Sequence, residues 1–196
     1  MTFTPPANGT LNWDIPLNTA LSQLGNRWLP DDYGFLSWTI DPSQASGTSL
    51  TTAGSVHMIG VNVRQTASIS NVIMHVGVAG VTLTAAQNFA GVYNSSGARV
   101  GVTADQSGVW TSTGTKIMAL TASFVATPGT YYIAVVTNGT TQPQFSQETT
   151  VGPINAGLVA ATFRSSIGAT AQTTLPVSIT MGTRTASTIS WWGAVS

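Results

Sequence analysis

The chain has 196 residues, which is enough for one domain with a full hydrophobic core and too few for two complete domains. Only 6 % of the residues are charged, and six basic and six acidic residues give a formal net charge of zero. This composition provides no basic stripe for nucleic acid, no run of about 20 apolar residues for membrane insertion and, without cysteine, no disulfide or thiolate metal site. Zero net charge also removes the repulsion that keeps monomers apart, so assembly is expected.

The N-terminal residues MTFTPPANGT lack the basic start and apolar stretch of a signal peptide, so secretion is not expected. One helix is predicted within residues 12–26, where Asp14 can cap the first turn and Gly25 suits the left-handed position after the last turn. A helix of about ten residues is marginal alone in water, so it must dock on the chain's own β domain or on a neighbouring chain. Both alternatives are open. The apolar residues expected in this contact are Trp13, Ile15, Leu17, Leu21 and Leu24.

From residue 34 onward, short β-rich runs are separated by Gly, Pro, Asn and Ser, which predicts a sandwich or barrel. Strands are predicted near residues 34–40, 55–65, 69–78, 88–94, 98–103, 115–124, 130–137, 157–164, 175–181 and 187–194. We predict an all-β antiparallel sandwich of jelly-roll type over residues 34–196. An extended N-terminal arm and the short helix occupy residues 1–33 and serve attachment or oligomerisation.

Two hairpins are predicted from turn residues and spacing. The stretch GVYNSSGARVGV has a loop from Asn94 to Gly97 that tolerates positive φ. Strands 55–65 and 69–78 are expected to form a second hairpin, whose register places His57 opposite His75. The first of these two strands has an apolar face and a mixed face, which carries Met58, Gly60, Asn62 and Arg64.

The stretch TPGTYYIAVVTNGTT, residues 127–141, predicts a strand that is apolar on both faces. Pro128 and Gly129 fit the central positions of a type II turn before it, and Asn138 and Gly139 end it. A strand of this kind is covered on both faces, either by a second sheet and a loop or by another subunit.

Residues 91–145 carry three motifs in order: GVYNSSGARVGVTADQS, WTSTGTKIMAL and TPGTYYIAVVTNGTTQP. They resemble the β-sandwich module of tail-fibre, minor tail and related virion proteins of tailed bacteriophages, especially those of actinobacteria. INAGLVAATFR and ISWWGAVS are similar to later strands of that module. TLNWDIPLNTALSQL resembles a segment that opens phage fibre subunits and attaches or trimerises them.

The resemblance implies a structural or host-recognition role in a virion and no enzymatic activity. We expect a homotrimeric surface subunit of the tail, in a fibre, tip or baseplate, that binds other virion proteins through residues 1–33 and is made in the host cytoplasm. Contact with host-surface glycan is a secondary expectation. A head decoration protein on the capsid exterior and a free carbohydrate-binding module are the two alternatives. Because the chain ends directly after the sandwich, a small accessory protein is expected.

Neither a catalytic residue nor a metal or cofactor site is predicted. A glycosidase needs two carboxylates that face one sugar bond, but five of the six acidic residues fit caps and turns, which leaves Glu148 without an obvious partner. The six are Asp14, Asp31, Asp32, Asp41, Asp105 and Glu148. The two histidines lack a third zinc ligand at a recognisable spacing, and no GxSxG motif supports a serine nucleophile.

Three tryptophans are candidates for ligand or interface contacts. Trp110 lies in a polar loop, where its ring could stack on a sugar, enter a subunit interface or act as a structural plug beneath the loop. Trp191 and Trp192 point to opposite faces if they lie in a strand, so at most one is expected in the core and the other becomes an interface candidate.

Overall fold

The structure, a computed structural model, describes residues 28–148 and 152–196. Within these ranges the chain is an antiparallel β-sandwich, as the sequence predicts. Helical segments of the described chain are 3-10 turns of three or four residues, at Pro30–Tyr33, Pro42–Gln44, Ala160–Thr162 and Met181–Thr183. None of them is long and apolar enough to cross a membrane. The predicted N-terminal helix and most of the arm lie outside the described residues.

The first sheet is built around β4, which pairs with β8 along one edge and with β14 and β11 along the other. β1 continues beyond β14, and β2 continues beyond β11. The strands of this sheet are β1 (Ser37–Trp38), β2 (Ala45–Leu50), β4 (Ala67–Val78), β8 (Gly114–Ala126), β11 (Gln144–Glu148) and β14 (Gly193–Val195).

The second sheet has the strand order β13-β12-β3-β9-β6-β7. Its strands are β3 (Val56–Val63), β6 (Phe89–Asn94), β7 (Arg99–Val102), β9 (Gly129–Val136), β12 (Ser165–Ala169) and β13 (Thr185–Ala186). A separate two-stranded sheet joins β5 (Val81–Leu83) to β10 (Gly139–Thr141).

The main hydrophobic core lies between the two large sheets. Ile59 and Val61 of β3 and Val72 and Met74 of β4 are buried in it, each exposed by 3 % or less. Each buried aliphatic side chain of this kind contributes roughly 1.5–3 kcal/mol to folding. The alternation of side chains along each strand therefore decides which residues enter the core and which face outward.

β9 is the strand that the sequence predicts to be apolar on both faces. Its residues Tyr131, Ile133 and Val135 belong to the main core. Its other face packs with a loop that we call the covering segment, residues 170–184, through the buried side chains of Leu175, Ile179 and Met181. Both faces are thus covered within one chain, one by the first sheet and the other by the covering segment, and this strand requires no other subunit.

β3 and β4 belong to different sheets, so the predicted hairpin between them is wrong. β3 is flanked by β9 and β12, and β4 is flanked by β8 and by β14 with β11. His57 lies opposite Val135 of β9, whereas His75 lies opposite Thr115 of β8. Both edges of each strand are paired within its own sheet, so neither strand has an edge left for the other.

The other hairpin, between β6 and β7, is confirmed. Asn94 Oδ1 accepts hydrogen bonds from the backbone N–H groups of Ser96 and Ala98, and Gly97 has a φ of +88°. By contrast, φ is not positive at Gly129, which begins β9, so the predicted type II turn is not formed.

Several predicted strand positions in the C-terminal third are wrong. Residues 157–164 form turns and a 3-10 helix, and 175–181 is irregular chain whose apolar residues cover β9. Of 187–194, only the last two residues lie in a strand, β14. Conversely, the polar strand β2 was not predicted, nor were β5, β10, β11 and β12, because most are short and lack an apolar alternation.

Candidate functional site

The five N-terminal residues predicted to make the attachment contact lie outside the described residues. They are Trp13, Ile15, Leu17, Leu21 and Leu24. Their role stays a prediction.

Trp110 is fully buried beneath its loop. Its indole N–H donates to Met118 Sδ at 3.2 Å, and its ring lies edge-on to Phe145 with centroids 5.3 Å apart. No ring face is left for a ligand or a partner, so the structure agrees with the structural plug among the three alternatives.

Trp191 and Trp192 do lie on opposite faces, but both are buried, at 1 % and 5 % exposure. Trp191 packs between the sheets against Phe145. Trp192 lies on the outer face of the first sheet with Ile73 and is covered by Phe35. Segment 35–40 covers the outer face, so neither ring is free for an interface or a ligand.

Three of the five acidic side chains in residues 28–148 and 152–196 stabilise turns or loops. Asp32 Oδ2 accepts from the Leu29 backbone N–H at 2.7 Å, and Asp41 Oδ1 accepts from the Ser43 N–H at 2.8 Å. Partial burial acts to raise the pKa of Asp105, but hydrogen bonds from Ser107 and from nearby backbone N–H groups outweigh it and lower that pKa. Within residues 28–148 and 152–196, no three acidic or histidine side chains are grouped to hold a metal ion.

His57 is a buried structural residue. Its Nε2 accepts a hydrogen bond from the Thr52 backbone N–H at 3.2 Å, and its ring lies 4.7 Å from that of Trp191. Burial lowers the pKa of His57 to about 4, so the imidazole is neutral at pH 7.

His75 lies in a small pocket of about 230 Å³ that Trp192 and Pro42 also line. Its Nδ1 is 2.7 Å from Ser146 Oγ. A Ser–His–Asp triad needs a carboxylate to orient the imidazole, and none is found among the described residues that line this pocket.

A larger groove of about 570 Å³ opens on the outer face of the second sheet. β3 and β9 form its floor, with Gly60 paired to Tyr132 and Asn62 paired to Thr130. The mixed face of β3 that the sequence predicts is therefore this floor, because the alternate residues of β3 enter the core. Further lining comes from segments 28–44 and 158–164, including Trp28, Trp38, Asp41, Leu158, Phe163 and Arg164.

The charged side chains that line the groove differ in their hydrogen bonding. Asp41 caps the turn that follows it, through Ser43. By contrast, the guanidinium groups of Arg64 and Arg164 make no hydrogen bond or ion pair with any other residue that the structure describes. Both arginines are exposed, so two cations that have no partner in the described ranges line one concave surface.

A third cation lies beside the groove, on the same outer face of the second sheet. The Arg184 guanidinium is buried and lies 4.3 Å from the centroid of the Tyr132 ring. It donates to Ser166 Oγ and to the Ala160 carbonyl, both at 3.0 Å, and in this way holds segment 158–164 against the sheet.

Aromatic rings border the groove near the start of the described chain. Tyr33 lies edge-on to Trp28 and to Trp38, with centroids 5.8 Å and 5.6 Å apart. Trp28 remains 62 % exposed. Sequence reasoning missed this site because its residues come from distant segments, and the mixed face of β3 was the one signal that pointed to it.

A comparison with models of known protein families finds no match for the chain. A comparison with curated proteins likewise finds no significant match.

Proposed function

We propose that the protein is a structural subunit on the surface of a bacteriophage virion, homo-oligomeric and part of the tail fibre, tip or baseplate. The proposal starts from the resemblance of residues 91–145 to a phage β-sandwich module. In the structure these residues run from β6 to the first part of β11 and contribute strands to both large sheets. The motifs that suggest the module are thus part of the sandwich itself.

The observation that carries the oligomeric part is the outer edge of β8. β8 has 13 residues, and β4 pairs with one of its edges. On the other edge, Leu120 forms a single bridge with Thr103, and no strand of the described chain pairs with residues 114–119. Ile117 and Val125 are 70 % and 69 % exposed. A long edge with exposed apolar residues is a surface that another chain can pair with or cover.

The junction with the N-terminal arm favours an attachment role. Trp28 and Leu29, at the start of the described chain, are 62 % and 56 % exposed. Exposed apolar side chains at this position extend the apolar pattern predicted for residues 12–26 and suit a contact with another virion protein.

Deletion of residues 1–30 tests the virion role. Tagged full-length protein supplied in infected host cells is expected to co-purify with virions, whereas the deletion variant is not, because the arm makes the contact. Circular dichroism of the purified variant provides the control that the sandwich still folds. A folded variant that is still incorporated contradicts the attachment role, and absence of the full-length protein from virions contradicts the proposed function.

Two alternatives give different results. Immunogold labelling of virions distinguishes a tail subunit from a decoration protein on the head. A free carbohydrate-binding module, which the groove on the second sheet favours, would be absent from virions and would keep its ligand in a variant that lacks residues 1–27, because the groove residues Trp28 and Leu29 remain.

A further inference from the structure

We propose that the groove on the outer face of the second sheet binds an acidic saccharide, a sugar whose ring carries a carboxylate. The inference deepens the proposed function and rests on its glycan-contacting part. The groove has a volume of about 570 Å³. This lies within the range of roughly 300–1,000 Å³ that is usual for small-ligand sites, and a short oligosaccharide fits that range.

The two arginines that line the groove are suited to bind a carboxylate. The guanidinium groups of Arg64 and Arg164 have no partner among the described residues, and both line the groove. Guanidinium donates two parallel hydrogen bonds to a carboxylate, which gives both charge and orientation. Asp41, the acidic residue that also lines the groove, already accepts hydrogen bonds from the Ser43 backbone N–H and hydroxyl.

Arg184 adds to the positive potential from beside the groove. Its guanidinium hydrogen-bonds to neutral groups and lies over the Tyr132 ring, and no carboxylate pairs with it in the described ranges. A buried cation without a counterion acts over a longer distance than a solvated one, because the protein interior screens charge weakly. The groove therefore favours an anion over a neutral sugar.

The aromatic border suits a sugar ring. Trp28 is 62 % exposed, and Trp38 is half-buried beside the groove. The C–H face of a pyranose ring is apolar, so covering an indole face removes apolar surface from water on both partners. Inorganic phosphate would gain nothing from this surface.

The floor provides groups for sugar hydroxyls. Asn62 Oδ1 accepts a hydrogen bond from Thr130 Oγ1 at 2.9 Å, and the Asn62 backbone carbonyl accepts from Ser37 Oγ at 2.6 Å. The contact with Thr130 orients the side-chain amide of Asn62, whose Nδ2 group has no partner in the described chain. A fixed amide donor is well suited to orient a hydroxyl oxygen.

Isothermal titration calorimetry of the full chain tests the proposal. The probes are di- to tetrasaccharides that contain glucuronate, galacturonate or N-acetylneuraminate, each beside a neutral counterpart of the same length. We expect at least one acidic probe to bind at least tenfold more tightly than its neutral counterpart. The double variant Arg64→Gln/Arg164→Gln should lose at least tenfold in affinity for it.

Lys116→Gln is the matched control, because it removes a cation on β8, away from the groove, and should leave the affinity unchanged. Equal binding of acidic and neutral probes, no binding of any acidic probe, or an equal loss in the control variant would overturn the proposal. Virion incorporation of the full chain is a separate result. If the full chain is incorporated into virions but no acidic saccharide binds, the saccharide inference is wrong and the proposed function is not contradicted.

Discussion

At the scale of single residues, burial decides what a titratable side chain does. His57 is 4 % exposed, and its Nε2 accepts a backbone hydrogen bond that requires an unprotonated nitrogen. Its pKa falls from the usual 6.5 to about 4. The unfolded chain therefore binds a proton between these two pH values, and the folded chain does not.

The unfolding free energy is expected to fall as the pH is lowered from about 6.5 to about 4 and to stop responding to His57 below that. The sign follows because the unfolded state binds more protons in this window. The loss is on the order of 3 kcal/mol for a shift of this size. Urea unfolding at a series of pH values measures it.

His57→Gln should flatten the pH dependence in this window, because glutamine does not titrate. The native chain, measured in the same urea series, is the reference for the slope. If His57→Gln keeps the same slope, burial of His57 is not its cause. The lowered pKa of Asp105 acts separately, because its contribution is lost only as the pH falls below its usual 3.8.

The tryptophans show the limit of sequence at this scale. A tryptophan in a polar loop indicates that its ring makes a contact, and so do two adjacent tryptophans near the C-terminus. The sequence does not indicate which residues they contact. Trp110 finds Met118 and Phe145, and Trp192 is covered by segment 35–40. All the surfaces involved belong to the same chain, so the rings act in folding.

At the scale of elements, the covering segment 170–184 depends on the β6–β7 hairpin. Ile179 donates its backbone N–H to the Gly97 carbonyl at 2.8 Å. Gly97 has a φ of +88°, and a Cβ atom there would lie 2.0 Å from the Ile179 carbonyl oxygen. The loop conformation and the close approach of the covering segment both require glycine at this position.

Gly97→Ala is expected to lower the unfolding free energy by about 1–3 kcal/mol, through backbone strain and displacement of the covering segment. Denaturant unfolding measures the change. Gly108→Ala is the matched control, because φ is not positive there and no atom lies within 4 Å of the added Cβ. Similar small effects of both substitutions would contradict the requirement for glycine at the hairpin.

Pairing between elements also explains why the predicted hairpin between β3 and β4 is wrong. Two consecutive apolar strands with a short connection fit a hairpin and also fit a crossing from one sheet to the other. Which of the two arrangements forms depends on the strands that pair with β3 and β4. These strands are β9, β12, β8 and β14, which lie far from β3 and β4 in sequence.

At the scale of the whole molecule, assembly depends on surfaces that remain uncovered. β9 no longer supports an interface, because the covering segment hides its outer face. The edge of β8 supports an interface, because Ile117 and Val125 are exposed and the chain carries no net charge to oppose association.

Light scattering at several concentrations is expected to give a trimer of three 20.2 kDa chains. Ile117→Lys with Val125→Lys should shift the mass toward the monomer, because each copy then brings two charges to the interface. Val177→Lys is the control, since this residue is 75 % exposed and belongs to the covering segment and not to β8. A monomeric native chain at every concentration, or an unchanged mass in the β8 variant, would contradict this interface.

The sequence by itself determined the fold class, the β6–β7 hairpin and the alternation that places the apolar residues of β3 in the core. These features depend on the residues of a turn and on the two-residue alternation of a strand, and both can be recognised within a short stretch of consecutive residues. Only the tertiary structure decided which sheet each strand joins, what covers β9, and that Arg64, Arg164 and the aromatic residues near Trp38 line one groove. Such contacts join residues far apart in the chain, and their free energy depends on packing and charge that no single segment contains.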